Sequence, residues 1–139
     1  MTDEQKPAPA SRTKGIYIGA PACFALELAC RQINEAFGGW GCYVVGSSLD
    51  RQDWRDVDVR LIIEDPDFYE LFPDAQVNCW EQDPRWLLMT VSISAWLKGV
   101  TCLPVDFQIQ PRTHANERHK GKRSAVGLRI GKRNKGDAQ

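Results

Sequence analysis

With 139 residues, 42% of them apolar and 26% charged, the chain has the composition of one globular domain with a real core and is too short for two ordinary ones. No apolar run approaches the roughly 18 to 20 residues that cross a bilayer, and the opening MTDEQKPAPASRTK lacks the apolar segment of a secretory signal, so no membrane contact and a cytoplasmic location are expected. Eighteen basic and eighteen acidic residues cancel overall, yet residues 112 to 139 hold nine Lys or Arg against two acids, which leaves an acidic body and a basic end.

Residues 1–14 are rich in Pro, Lys, Ser and Thr without apolar periodicity and are expected to form a flexible arm. One domain is expected over 15–128, followed by a flexible basic tail, 129–139. From Pro21 to Phe37, Ala22, Leu26, Ala29, Ile33 and Phe37 recur at three- and four-residue steps, which predicts an amphipathic helix ended by Gly38 and Gly39. CYVVG then predicts a short apolar strand, SSLDRQDWR a turn or brief helix, and DVDVRLII a second strand. EDPDFYELFPDAQ, with two prolines, predicts a connecting loop with one helical turn around Phe68 to Leu71.

In QDPRWLLMTVSISAWLKG, Asp83 is placed to cap a helix, Pro84 to open it, and Lys98 with Gly99 to close it, although the alternation of TVSIS leaves a strand as the alternative. Trp86 and Trp96 are expected in the core of that helix. LPVDFQIQ predicts a third strand with Asp106, Gln108 and Gln110 on one face. Beyond it the chain is basic, with no evident core element except AVGLRI. Cys23, Cys30, Cys42, Cys79 and Cys102 are odd in number and form no CxxC pair, which argues for buried free thiols over disulfides or a zinc ribbon; His114 and His119 match no familiar zinc spacing.

The charged face of the second strand asks for a reason. Alternation sends Asp56, Asp58 and Arg60 to one side of the pleat and Val57, Val59 and Leu61 to the other, with the two carboxylates about 7 Å apart at the backbone. An alternating face is commonly the solvent side of a half-covered sheet. If the VDFQIQ strand pairs beside it, however, Asp106 adds a third carboxylate, and such crowding raises pKa values unless a cation offsets it. Magnesium suits this donor set, since hard divalent ions take carboxylate oxygens and leave positions for water and phosphate, and two ions about 3.5 to 4 Å apart clamp a phosphoryl displacement. Gly46 would let a triphosphate approach the backbone, where the amides and hydroxyls of Ser47 and Ser48 can hold its oxygens.

In their order, VVGSS, DVDVRL and VDFQI resemble the nucleotidyltransferase superfamily of the DNA polymerase beta type. DWRDVDVRLI, QDPRWLLM, LPVDFQIQPRTHAN and GKRSAVGL are similar to small nucleotidyltransferase-domain proteins of tailed bacteriophages, over about residues 20 to 130. The resemblance implies an α/β (α+β) minimal nucleotidyltransferase fold: a short mixed sheet, helices on one face and an acidic cleft on the other. It implies that Gly46 and Ser47 bind the triphosphate of an NTP donor, that Asp56 and Asp58 hold two Mg2+ ions, and that Asp106 binds the catalytic ion and helps deprotonate the acceptor hydroxyl. Only eight residues separate Ser47 from Asp56, fewer than the superfamily usually shows, so the helix after Gly-Ser is expected to be shortened.

The expected activity is Mg-dependent transfer of a nucleoside monophosphate from an NTP to a hydroxyl, in the host cytoplasm if the chain is phage-encoded. The alternative is a catalytically silent module that binds a nucleotide or nucleic acid in a phage-host interaction; a third is a component of an assembly, pairing acidic body with basic tail. An acceptor site would need the basic tail, a nucleic-acid or protein partner, or a second copy. Arg112, Lys120, Lys122 and Arg123 are the candidates for phosphate or nucleic-acid contact and Asn116 for a base or ribose. Arg60 is placed either to touch phosphate or to pair with a neighbouring aspartate, and Trp54 either to stack on a base or to cap the sheet edge.

Overall fold

Apolar side chains at helical spacing make α1 (Ala22–Ala36), which buries Leu26, Ala29, Cys30 and Ile33 and stops where Gly38 and Gly39 take positive φ angles of 80° and 97°. In this computed structural model, which describes residues 18–50, 52 and 55–127, there follow β1 (Gly41–Val45), a 3-10 turn (Ser47–Leu49) and β2 (Val57–Ile63). The chain continues with α2 (Asp65–Leu71), a second 3-10 turn (Trp80–Gln82), α3 (Pro84–Thr101), β3 (Val105–Pro111), α4 (Arg112–Arg118) and β4 (Ser124–Val126). The predicted arm 1–14 and tail 129–139 lie outside the described residues.

The four strands form one mixed sheet in the order β3-β2-β1-β4. β1 runs antiparallel to both β2 and β4, while β2 and β3 are parallel and in register from Val57 opposite Val105 to Ile63 opposite Pro111. The protein therefore has the α+β class expected. A parallel pair needs a long crossover, and α2 and α3 supply it. Val57, Val59, Leu61 and Ile63 of β2 and Val105, Phe107 and Ile109 of β3 turn one face of the sheet into the core, which α1 and α3 cover with Leu26, Ile33, Trp86 and Leu97.

Helix α3 begins as its residues predict: the Asp83 carboxylate accepts the Trp86 amide at 2.9 Å and Pro84 occupies the first position. It resolves the TVSIS ambiguity in favour of helix and runs past Gly99, ending where Cys102 turns left-handed at φ 60°. Trp86 is core, its indole N–H donating to the Ile109 carbonyl at 2.8 Å. Trp96 departs from the expectation and is 40% exposed. Of the cysteines, Cys30 and Cys42 are buried and Cys102 is exposed; all are free thiols.

Two helices exceed what periodicity suggested. α2 is a full two-turn element, because Pro66 suits its first turn, Asp65 and Asp67 sit at its positive end, and Phe68 anchors it against Phe72 and Trp80. α4 stands where no core element was expected and buries Ala115 alone.

One polar side chain ties the layers together. Buried Asn34 of α1 donates from Nδ2 to the carbonyls of Val126 (3.1 Å) and Gly127 (3.2 Å), and its Oδ1 accepts from the Cys42 amide at 2.9 Å. Gly127 packs so closely on α1 that a Cβ there would stand 2.6 Å from the Arg31 nitrogen. Asn34→Ala strands one buried donor and two acceptors, and we expect a loss of about 2–3 kcal/mol in urea unfolding, against under about 0.5 kcal/mol for exposed Gln32→Ala on the same helix. Equal midpoints for the two variants would show that Asn34 is not the staple.

Candidate active site

The register of β2 and β3 brings two of the three aspartates side by side. Asp58 lies directly opposite Asp106 on adjacent parallel strands, and so on the same face. Asp56, two residues earlier, precedes the strand and is exposed. From the other side, Val45 of β1 pairs with Asp58, and the chain turns at once through Gly46. Gly46 has φ 85° and ψ −157°, and a Cβ on it would stand 2.5 Å from Asp58 Oδ2. Bare backbone therefore rests against the carboxylate. Both the left-handed φ and the contact restrict the position to glycine.

Burial pushes the half-buried Asp58 carboxyl above its ordinary 3.8; Arg60 draws it down, and Asp106 and Asp56 push it up. The three carboxylates thus share one electrostatic patch on the face away from α1 and α3. Arg60 is part of it. Its side chain is buried, Nη1 donates to the carbonyls of Asp106 (2.7 Å) and Val59 (3.1 Å), and Nη2 pairs with Asp106 Oδ2 at 3.4 Å, while Nε is enclosed without a partner. Of the two roles open to Arg60, pairing with a neighbouring aspartate is the one observed. Among the described residues, no three His, Cys, Asp or Glu side chains form a ready-made metal cage.

The Gly-Ser-Ser turn presents its residues unequally. After Gly46 stands the single 3-10 turn Ser47–Leu49, in keeping with the turn or brief helix expected, with Ser47 half-buried. Ser48 is fully buried, its hydroxyl enclosed without a hydrogen-bond partner, so Ser47 is the serine at the surface of the turn.

The basic candidates divide similarly. Arg112 pairs with Glu64 at 2.6 Å. Arg123 donates to the carbonyls of His119 (3.2 Å) and Ala115 (3.1 Å) and to Asn116 Oδ1 (2.8 Å), tying off the C-terminal end of α4 and engaging Asn116 as well. Lys120 and Lys122 are exposed beside it. Trp54 lies outside the described residues.

Two neighbours of the patch went unrecognised in the sequence. His119 lies 3.2 Å from Gln110 Oε1, and desolvation, then the charges of Arg60, Arg123, His114 and Arg118, lowers it to about 4, so the ring is neutral at pH 7. Tyr43 pairs with Arg60 across β1 and β2. Alternation marks Gln110 and Tyr43 as facing this side, but nothing in the local sequence brings His119 over it. His114 packs edge-on against Trp80. Comparison with known proteins finds no matching family model, no matching curated protein and no matching solved structure.

Two outcomes test this geometry. A carboxyl whose folded pKa exceeds its unfolded one favours the fold below the unfolded value, and that contribution is lost as pH rises through the folded value. Asp58→Asn should therefore raise the melting temperature at pH 7 and lose this advantage near pH 3; a lower melting temperature at pH 7 would mean that Asp58 is not held against its charge. Gly46→Ala should destabilise by about 1–3 kcal/mol in chemical unfolding, and an unchanged midpoint would show that the turn does not press on Asp58.

Proposed function

We propose that this protein is a magnesium-dependent nucleotidyltransferase of the DNA polymerase beta type, which moves a nucleoside monophosphate from an NTP to a hydroxyl acceptor. The observation that carries this reading is the convergence of three sequence-distant parts: the Gly46 turn against Asp58, and Asp58 in register with Asp106. A bare backbone turn beside paired carboxylates suits a bound metal-triphosphate, since the turn admits phosphate oxygens where a side chain would exclude them.

The donor set fits a hard divalent cation. Asp58 is half desolvated and raised by two acidic neighbours, an arrangement that an added positive charge relieves. Asp56, Asp58 and Asp106 would hold magnesium, which when bound neutralises phosphate charge and polarises the reacting oxygens. Gly46 and Ser47 position the triphosphate at the end of β1. Asp106, the more exposed member of the in-register pair, accepts the proton of the attacking hydroxyl as that oxygen bonds to the α-phosphorus and pyrophosphate departs with the bridging electrons. The hydroxyl acceptor approaches from the open side, where the basic residues Lys120 and Lys122 suit a phosphate-bearing molecule.

One observation favours a second reading, a silent nucleotide-binding module: Arg60 already engages the Asp106 carboxylate that turnover requires. Titration calorimetry with the four ribonucleoside triphosphates, with and without magnesium, tests both. We expect magnesium-dependent binding of at least one NTP, weakened at least about 100-fold by combined Asp56→Asn and Asp58→Asn, a loss of about 2.7 kcal/mol. Pyrophosphate release with an added pool of hydroxyl acceptors then favours the transferase, and binding without release favours the silent module. No magnesium-dependent binding by the wild type would overturn both.

A further inference from the structure

The face of the protein opposite the acidic patch is unusually apolar. Phe24 and Leu28 on α1 and Leu87, Leu88, Val91, Trp96 and Val100 on α3 are 40 to 72% exposed. Over its 18 residues α3 carries only Arg85 and Lys98 as charged side chains. A helix that is apolar all round is ordinarily buried all round, yet only the inner side of α3 meets the sheet. At helical spacing Leu87, Leu88, Val91 and Ala95 share its outer side. Between the two helices lies an open groove of about 290 Å³, lined by Gln32, Ile33, Ala36 and Phe37 of the α1 side and Ser92, Ile93 and Trp96 of α3.

We propose that this face is a two-fold interface with a second copy of the same chain, α1 and α3 of one copy packing on α1 and α3 of the other. Area supports that occupant. The seven residues, each 40 to 72% exposed, together leave apolar surface on the order of the ~800 Å² per partner of a standard stable interface. Large apolar side chains exposed on this scale are uncommon in a protein that has no partner for them.

Charge supports it too. An isologous interface sets residue i of one copy against residue j of the other, and a charge near the two-fold axis meets its like; a nearly uncharged helix avoids that repulsion and offers little to attract a charged partner. The chain's own ends are poor substitutes, since residues 1–17 and 128–139 contain only Met1, Ile16, Tyr17, Leu128 and Ile130 as large apolar side chains. Because α1 and α3 cover the core face of the sheet, the dimer leaves Asp58 and Asp106 of both copies facing outward. The inference is independent of the proposed activity.

Sedimentation equilibrium on the full chain from about 1 to 100 µM tests it, with Leu88→Asp and Leu28→Glu as variants on exposed positions of the two helices. We expect a species of twice 15.7 kDa, retained in 1 M sodium chloride, and self-association weakened at least about 30-fold by either variant with its helical circular dichroism intact. Should one variant fail to fold, the other carries the test. A wild-type monomer at 100 µM, an assembly larger than two, folded variants that remain dimeric, or a dimer that salt dissociates would each overturn the proposal; the last would indicate pairing of acidic body with basic end instead.

Discussion

Parallel pairing of β2 with β3 is the constraint from which most of the architecture follows. A parallel pair cannot be joined by a tight turn, so the chain between Ile63 and Val105 has to travel back along the sheet, and it does so as α2 and α3. Together with α1, those helices bury the odd-numbered side chains of both strands, which is why Val57, Val59, Leu61, Phe107 and Ile109 are inaccessible to solvent. The same register determines the opposite face. Asp58 meets Asp106 because Val57 meets Val105; a slip of one residue would send an aspartate into the core and a valine to the surface. Packing on one side thereby enforces the acidic pair on the other.

The antiparallel half of the sheet is secured differently. β4 is only three residues long and adds little burial of its own, so its attachment depends on polar contacts to α1. Asn34 bridges the Cys42 amide and the Val126 and Gly127 carbonyls, and Glu27 accepts the Gly127 amide at 2.5 Å. These bonds keep β1 flanked on both edges. A strand so held can end abruptly at Val45 and turn through Gly46 in a conformation that few residues tolerate, with the backbone brought against Asp58. The staple on one edge of the sheet thus supports the turn at its end.

Elements with a strong pattern were legible in the sequence, and those held by context were not. Leu26, Ala29 and Ile33 announce α1, the Asp83-Pro84 start announces α3, and alternation identifies the faces of β2 and β3. Direction of pairing is a tertiary fact: alternation places Asp58 and Asp106 on a face but cannot say that the strands run parallel and in register. α4 was invisible because RTHANER buries only Ala115; its order comes from Arg123, which follows the segment and folds back on it, and from Arg112 with the sequence-distant Glu64. Trp96 misled for a related reason. A tryptophan in an apolar helix suggests core, but α3 is apolar on its outer side as well, so residue type no longer distinguishes the faces.

Arg60 deserves weight in any account of the acidic patch, because its position is determined by backbone and not by the carboxylate it meets. Two of its bonds run to main-chain carbonyls, those of Val59 and Asp106, and the side chain is almost wholly buried. A guanidinium keeps its charge at any ordinary pH, and here the backbone fixes its place. It therefore acts as a standing positive charge within the patch, and the carboxylates divide around it. Asp106 Oδ2 faces Arg60, whereas Asp58 is raised by burial and by its two acidic neighbours despite Arg60's pull. On the proposed reading, the cation deficit is centred on Asp58, beneath the Gly46 turn, and Arg60 limits how much positive charge the site accepts. The bare glycine backbone is then placed where an incoming anion would be drawn, at the rim of a carboxylate that burial and neighbouring acids hold above its ordinary pKa.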